Sequence, residues 1–189
     1  MNRTISLYDT TLRDGSQRRG ISYTLLDKLA ITTLLDAFGV EYIEGGWPGS
    51  NPKDAQYFAA MRERSLRNAK VVAFGSTRRK GVCVEDDANI RALLDAQTPA
   101  VAVVGKTWRL HVERVLEVTE GENLAMISES VSYLHAQGRE VIFDAEHFFD
   151  GYRDDSAHAC AAVQAARDAG ATWIVLCDTN GGSLPEWIY

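Results

Sequence analysis

Arg13 and Asp14 put a permanent cation beside a carboxylate, and Gln17 adds an amide within one turn. An aspartate so placed can bind a hard divalent metal, while a neighbouring guanidinium can neutralise an enolate or orient a carboxylate. The same residues would also serve as a surface ion pair in a turn, so their setting decides between the readings. Arg78-Arg79-Lys80 is the densest basic cluster. It suits a phosphate or an oxo-acid carboxylate, or a solvated loop, and no Walker-type loop accompanies it. Trp47 and Trp108 fit a pocket wall or plain packing equally well. Cys83, Cys160 and Cys177 lack any CxxC spacing and read as reduced, mostly buried thiols. Among the histidines, His135 and His158 fall on helical patterns and are expected to face solvent. His111 and His147 fall in polar loops, where they could support groups that touch a ligand.

The elements that must position these residues repeat along the chain. Apolar, β-branched runs are expected as strands at Thr4 to Tyr8, Val40 to Glu44, Lys70 to Phe74, Ala100 to Val104, Glu140 to Asp144 and Trp173 to Cys177. Their starts are 36, 30, 30, 40 and 33 residues apart, the spacing of strand-plus-helix units in a parallel sheet. Runs such as Val101-Ala102-Val103-Val104 and Trp173-Ile174-Val175-Leu176 do not alternate, which implies strands covered on both faces. Between them, Thr24 and Asp27 form a capping-box pattern, followed by an apolar stripe of Leu26, Ala30, Leu34, Ala37 and Phe38 that ends at Gly39. Two further stripes run Leu124, Ile127, Val131 and Leu134 to Gly138, and Ala159, Ala162, Val163, Ala166 and Ala169 to Gly170. Each strand opens at its carboxyl end into a Gly-rich polar loop, whereas most returns are terse. That asymmetry puts a ligand site at the carboxyl ends of the strands.

Six units fall short of the eight in a closed (β/α)₈ barrel. Ser183, Pro185 and Glu186 begin a helix with an N-cap pattern, and the sequence stops within a turn. The expectation is therefore the N-terminal part of a single catalytic barrel domain over residues 1–189, with no internal linker. Twenty Lys and Arg against 26 Asp and Glu give a net charge of −6, which disfavours nucleic acid as partner. No apolar run approaches the roughly 18 residues of a membrane span, and no signal-peptide pattern opens the chain; a cytoplasmic protein is expected.

Asp9-Thr-Thr-Leu-Arg-Asp-Gly-Ser-Gln17 resembles the signature of the DRE-TIM metallolyases, the metal-dependent acyl-CoA condensing and cleaving TIM barrels. Tyr42-Ile-Glu-Gly-Gly-Trp-Pro-Gly-Ser-Asn-Pro-Lys-Asp54, Phe74-Gly-Ser-Thr-Arg-Arg79, Gly105-Lys-Thr-Trp108, Asp144-Ala-Glu-His-Phe-Phe-Asp-Gly-Tyr152 and Leu176-Cys-Asp-Thr-Asn-Gly-Gly182 are similar to the citramalate synthase branch of that family. Gly46-Trp47-Pro48 stands where isopropylmalate synthases usually carry Gly-Phe-Pro.

The resemblance implies an acyltransferase that condenses acetyl-CoA with a 2-oxo acid, pyruvate first, in isoleucine and leucine biosynthesis. It makes Asp14 a ligand to a divalent metal (Mg, Mn or Zn) and Arg13 the group facing the enolate or keto oxygen. Glu146 becomes the acidic member of the Asp-Arg-Glu set and possible base, Thr179 a contact of the oxo-acid carboxylate, and Gln17 a neighbour in the same shell. All five are expected just beyond strand ends. The family's His-x-His metal ligands have no counterpart in residues 1–189, so this stretch alone is expected to be inactive. The family pattern also implies a homodimer. Alternatives are isopropylmalate synthesis, lyase-type cleavage as in hydroxymethylglutaryl-CoA lyase, or a non-catalytic module that pairs through its sheet edges.

Overall fold

The computed structural model describes residues 5–189. Thr4, where the first strand was expected to begin, lies outside them. In chain order the elements are β1 (Tyr8–Asp9), α1 (Leu25–Phe38), β2 (Tyr42–Gly46), α2 (Pro52–Met61), β3 (Lys70–Ser76), α3 (Ala88–Asp95), β4 (Ala100–Lys106), α4 (Arg109–His111), α5 (Glu120–Ala136), β5 (Glu140–Glu146), α6 (Phe148–Asp154), α7 (Ser156–Asp168), β6 (Trp173–Leu176) and α8 (Pro185–Ile188). The strands follow one another through the sheet in the order β1-β2-β3-β4-β5-β6. Pairing is parallel between β1 and β2, β2 and β3, and β5 and β6. Among the described residues no helix is long and apolar enough to cross a membrane.

The chain forms two compact units, Met1–Gly75 with Ala92–Ala102, and Ser76–Arg91 with Val103–Tyr189. In the first, Leu12, Ile43, Tyr57, Phe58, Val72 and Ala73 are buried. Each large apolar side chain so removed from water contributes about 1.5–3 kcal/mol. Thr24 and Asp27 close the expected capping box at the start of α1, and Gly39 ends it with φ 95°. The expected apolar stripe, however, is not the buried face: Leu26, Leu34 and Phe38 are exposed, whereas Lys28, Leu29, Thr32 and Asp36 are buried. The polar face wins because every member finds a partner. Lys28 Nζ donates to Asp54 Oδ1 (2.5 Å) and to the Gly45 carbonyl (2.9 Å), and the Thr32 hydroxyl meets Tyr57 Oη at 2.8 Å. Asp36 accepts the backbone N–H groups of Arg67, Asn68 and Ala69. Partners for each buried polar group offset much of its desolvation cost, and because those partners are distant in sequence, apolar periodicity misassigns this helix.

In the second unit the core is Ile127, Val131 and Leu134 of α5, Val141, Ile142 and Phe143 of β5, and Ala159, Ala162 and Ala166 of α7. Those stripes fall where the sequence puts them. β6 departs from expectation, with Trp173, Val175 and Leu176 exposed rather than covered on both faces. Ser183 does not cap α8; its hydroxyl donates to Asp178 and the N-cap is Leu184. β2 to β5 also end two residues later than expected, which draws Glu146 from the expected loop into β5.

Candidate active site

In the first unit the loop after β1 is wound tightly enough to fix its side chains. Asp9 accepts from the Thr11 backbone N–H and hydroxyl, and the N–H groups of Arg13 and Gly15 both donate to the Thr10 carbonyl. Arg13 is thereby aimed back over the sheet. Its Nε donates to Glu44 Oε1 of β2, its Nη1 lies 3.0 Å from Asp14 Oδ1, and its guanidinium carbon sits 3.9 Å above the Phe74 ring of β3. Trp47 meets the same ring edge-on at 5.3 Å between centroids.

Glu44 is 0% exposed, and its second oxygen accepts from Tyr8 Oη at 2.5 Å. Burial pushes its carboxyl above the usual range, against the opposing pull of Arg13 and the hydrogen bond from Tyr8. A buried acid, an aromatic ring and a strand thus hold one cation in one orientation. Glu44 is the residue that reasoning from the sequence missed. The available signal was an acid inside a short run, Tyr42-Ile43-Glu44, whose neighbours are all apolar and buried.

The segment after Glu44 is equally constrained. Gly46 has φ 150°, and a Cβ there would lie 2.5 Å from the Asp54 carboxyl carbon. Only glycine lets Asp54 reach the Trp47 N–H at 2.8 Å while it also holds Lys28.

Asp14 differs from Arg13 in being open to solvent, with its side chain 62% exposed. Gln17, in a 3₁₀ turn over Gly15–Gln17, is also exposed, and its backbone N–H donates to the Asp14 carbonyl at 3.0 Å. Among the described residues no group of three or more His, Cys, Asp or Glu side chains is arranged to hold a metal ion.

The second unit carries its own cluster at the carboxyl ends of β4 to β6. Glu146 is the last residue of β5 rather than a loop residue, and its carboxylate pairs with Lys106, the last residue of β4. Thr107 Oγ1 donates to the Glu146 carbonyl at 2.7 Å. His147 follows in the left-handed region, at φ 54° and ψ 35°, and its N–H donates to Thr179 Oγ1 at 2.8 Å. Its Nδ1 lies 3.1 Å from Asp150 Oδ2, which also accepts from Asn180 at 2.8 Å.

The His111 ring stands edge-on to His147 at 4.6 Å and tilted on Trp108 at 4.9 Å, and a single π-helical stretch, Val112–Leu116, follows it. Burial, then the nearby His147 and Lys106, hold His111 below the ordinary imidazole range. Gly151 lets α6 approach closely, since a Cβ there would lie 2.6 Å from the Thr107 carbonyl oxygen. Glu146 and Thr179 are thus brought together through His147, as Arg13, Asp14 and Gln17 are in the first unit.

Three expectations are corrected. Arg78 is not solvated: it is buried, with Nε on Glu129 at 2.5 Å and Nη1 on Glu122 at 2.8 Å, while Arg79 and Lys80 are exposed. Two carboxylates on the facing helix outbid solvent for that guanidinium. His158 is buried rather than solvent-facing, 3.5 Å from Asn123 on the neighbouring helix. The cysteines are free, but Cys83 is exposed and Cys160 and Cys177 only half-buried.

Parallel strands alternating with helices, with charged side chains fixed where the strands end, define an α/β protein of the TIM-barrel kind. The chain belongs to the HMGL-like family, whose sequence profile matches residues 4–189. It is 55% identical to the (R)-citramalate synthase of Synechocystis sp. over 96% of its length, covering 33% of that protein. It is 35% identical to the 2-isopropylmalate synthase of Listeria monocytogenes over 97% of its length, covering 34% of that protein. Its fold superposes on the HMG-CoA lyase of Bacillus subtilis with a TM-score of 0.75 at 14% identity, over 97% of this chain and 61% of that one. The chain spans about a third of the length of the curated relatives it matches.

Proposed function

We propose that the complete polypeptide encoded with this chain joins acetyl-CoA to pyruvate and that water then hydrolyses the thioester, giving (R)-citramalate and free CoA. The observation that carries the reading is the 55% identity to an (R)-citramalate synthase along nearly the whole chain. The Arg13 geometry supports it. A guanidinium held by a buried acid over an aromatic ring needs no reorganisation to meet negative charge growing on an enolate or alkoxide oxygen. Thr179 Oγ1 already accepts the His147 N–H, which leaves its own hydroxyl proton to donate to the oxo-acid carboxylate. Glu146, engaged by Lys106, serves as the acidic member of the second cluster, and Gln17 borders the site from the β1 loop.

Asp14 is proposed as one ligand to a divalent ion, Mg, Mn or Zn, on the strength of its exposed carboxylate. Bound there, such an ion would polarise the keto group of the oxo acid. The described residues do not by themselves complete a metal site, and no step here runs through one. A cytoplasmic, homodimeric enzyme of branched-chain amino acid synthesis completes the proposal.

The test is free-thiol release by the complete polypeptide with acetyl-CoA and either pyruvate or 2-oxoisovalerate. The reading expects pyruvate to give the higher kcat/KM by at least about tenfold, the discrimination that a pocket differing by a methylene or two supports. Preference for 2-oxoisovalerate would replace it with isopropylmalate synthesis, in line with the 35% relative. Thiol release with neither would leave a non-condensing protein.

A further inference from the structure

We propose that Lys106 is a positioning residue of the candidate active site: from the end of β4 its ammonium fixes the direction of the Glu146 carboxylate at the end of β5. The inference rests on the condensation reading, in which Glu146 is the acidic member of the second cluster, and it gives Lys106 the task of keeping that acid in place.

The backbones from which the two side chains rise are already locked. Asn123 of α5, 1% exposed, donates from Nδ2 to the Lys106 carbonyl at 2.9 Å. Thr107 is fully buried and its hydroxyl donates to the Glu146 carbonyl at 2.7 Å. Gly105 lets Phe143 of β5 come close, since a Cβ there would lie 2.5 Å from that ring. What stays free is the set of side-chain torsions in a lysine and a glutamate, both rich in rotamers. The ion pair between Lys106 Nζ and Glu146 Oε2 removes that freedom.

Stability gains little from this pair. Lys106 and Glu146 keep 23% and 26% of their side-chain surface exposed, so water competes for both charges, and ordering two long side chains opposes the attraction. The contacts of Asn123, Thr107 and Gly105 hold this corner together without it. The product of the pair is geometry: one carboxylate oxygen is bound to the ammonium, and the whole group is turned one way. Such control matters in catalysis, where a displacement of about 1 Å can cost about 10²-fold in rate.

His111 does not supply the same charge. It lies close enough to feel both Lys106 and Glu146, but burial first, then His147 and Lys106, hold it below the ordinary imidazole range. At neutral pH it is therefore uncharged, and the attraction on Glu146 comes from the lysine.

The experiment is a double-mutant cycle in the complete polypeptide, with free-thiol release as the assay. K106M keeps the length of the side chain and removes its charge. It should lower kcat by about 10–100-fold, with the KM for pyruvate within about threefold and the melting temperature close to that of the parent. In the E146Q background the same change should move kcat by less than about threefold, because Lys106 then has no carboxylate to direct. K106R, which keeps a cation against the carboxylate, should recover part of the loss, and K106Q repeats the cycle should K106M not fold. If the parent forms citramalate while K106M stays within about threefold of it, K106M costs the same in both backgrounds, or K106R recovers nothing, the positioning role is overturned and the condensation reading stands. If the parent forms no citramalate, the condensation reading fails and the role of Lys106 falls with it.

Discussion

The Arg13–Glu44 couple and the Glu146–His147–Asp150 cluster place ionisable side chains in different media. Glu44 is fully buried, and Arg13 is clamped between it and Phe74. In the second unit the carboxylates and imidazole sit at strand ends, and Glu146 and Lys106 each keep about a quarter of their side-chain surface exposed. The difference separates two duties. A guanidinium pinned between a buried acid and an aromatic ring keeps one orientation, which suits stabilisation of a developing anion. Titratable groups within reach of water can exchange protons, which suits acid–base work.

The contrast can be broken by substitution, beginning with its most buried member. Glu44→Ala strands the Arg13 guanidinium and the Tyr8 hydroxyl together, so it should cost about 3–5 kcal/mol of stability, the usual loss when one partner of a buried pair is removed. The midpoint of denaturant unfolding measures it, and an unchanged midpoint would mean the couple is not structurally important.

Asp36→Asn should cost less, about 1–3 kcal/mol at neutral pH, because three backbone N–H groups lose a charged acceptor. The N–H of Arg67 above all holds the Asp36 carboxyl below its ordinary value. A native pKa lower than the unfolded one gives stability that is complete above about pH 4–5 and fades as pH falls through the native value. Melting curves of parent and variant should therefore converge in acid. A gap that persists at pH 2 would contradict the assignment. Lys80→Ala, which removes an exposed pair with Glu117, should shift stability by less than about 0.5 kcal/mol.

Much of this architecture can be read from residue order. The repeated strand spacing, the Thr24 capping box, the stripes of α5 and α7 and the closing glycines all follow from local rules that the folded chain obeys. The β1 loop also stands out, because Arg13-Asp14 follows a strand directly. What stays hidden are long-range pairings. Lys28 looks like a solvent-facing helix residue until Asp54, 26 positions on, supplies its partner. Glu44 looks like an ordinary polar end to a strand until Arg13, 31 positions earlier, turns back onto it. His158 and Arg78 are misjudged for the same reason, since a polar residue is buried only when a distant group satisfies it. Apolar periodicity carries no information about such partners.

The central claim is that Arg13 acts as a fixed fork rather than as a mere positive charge, and Arg13→Lys tests it most directly. Lysine keeps the charge but cannot bond Glu44 and Asp14 from one rigid plane. Turnover of acetyl-CoA and pyruvate by the complete polypeptide should fall by about 10²–10³-fold, as it does when a preorganised donor is lost, with the melting temperature little changed. Turnover within a few-fold of the parent would show that charge alone suffices and would contradict the account.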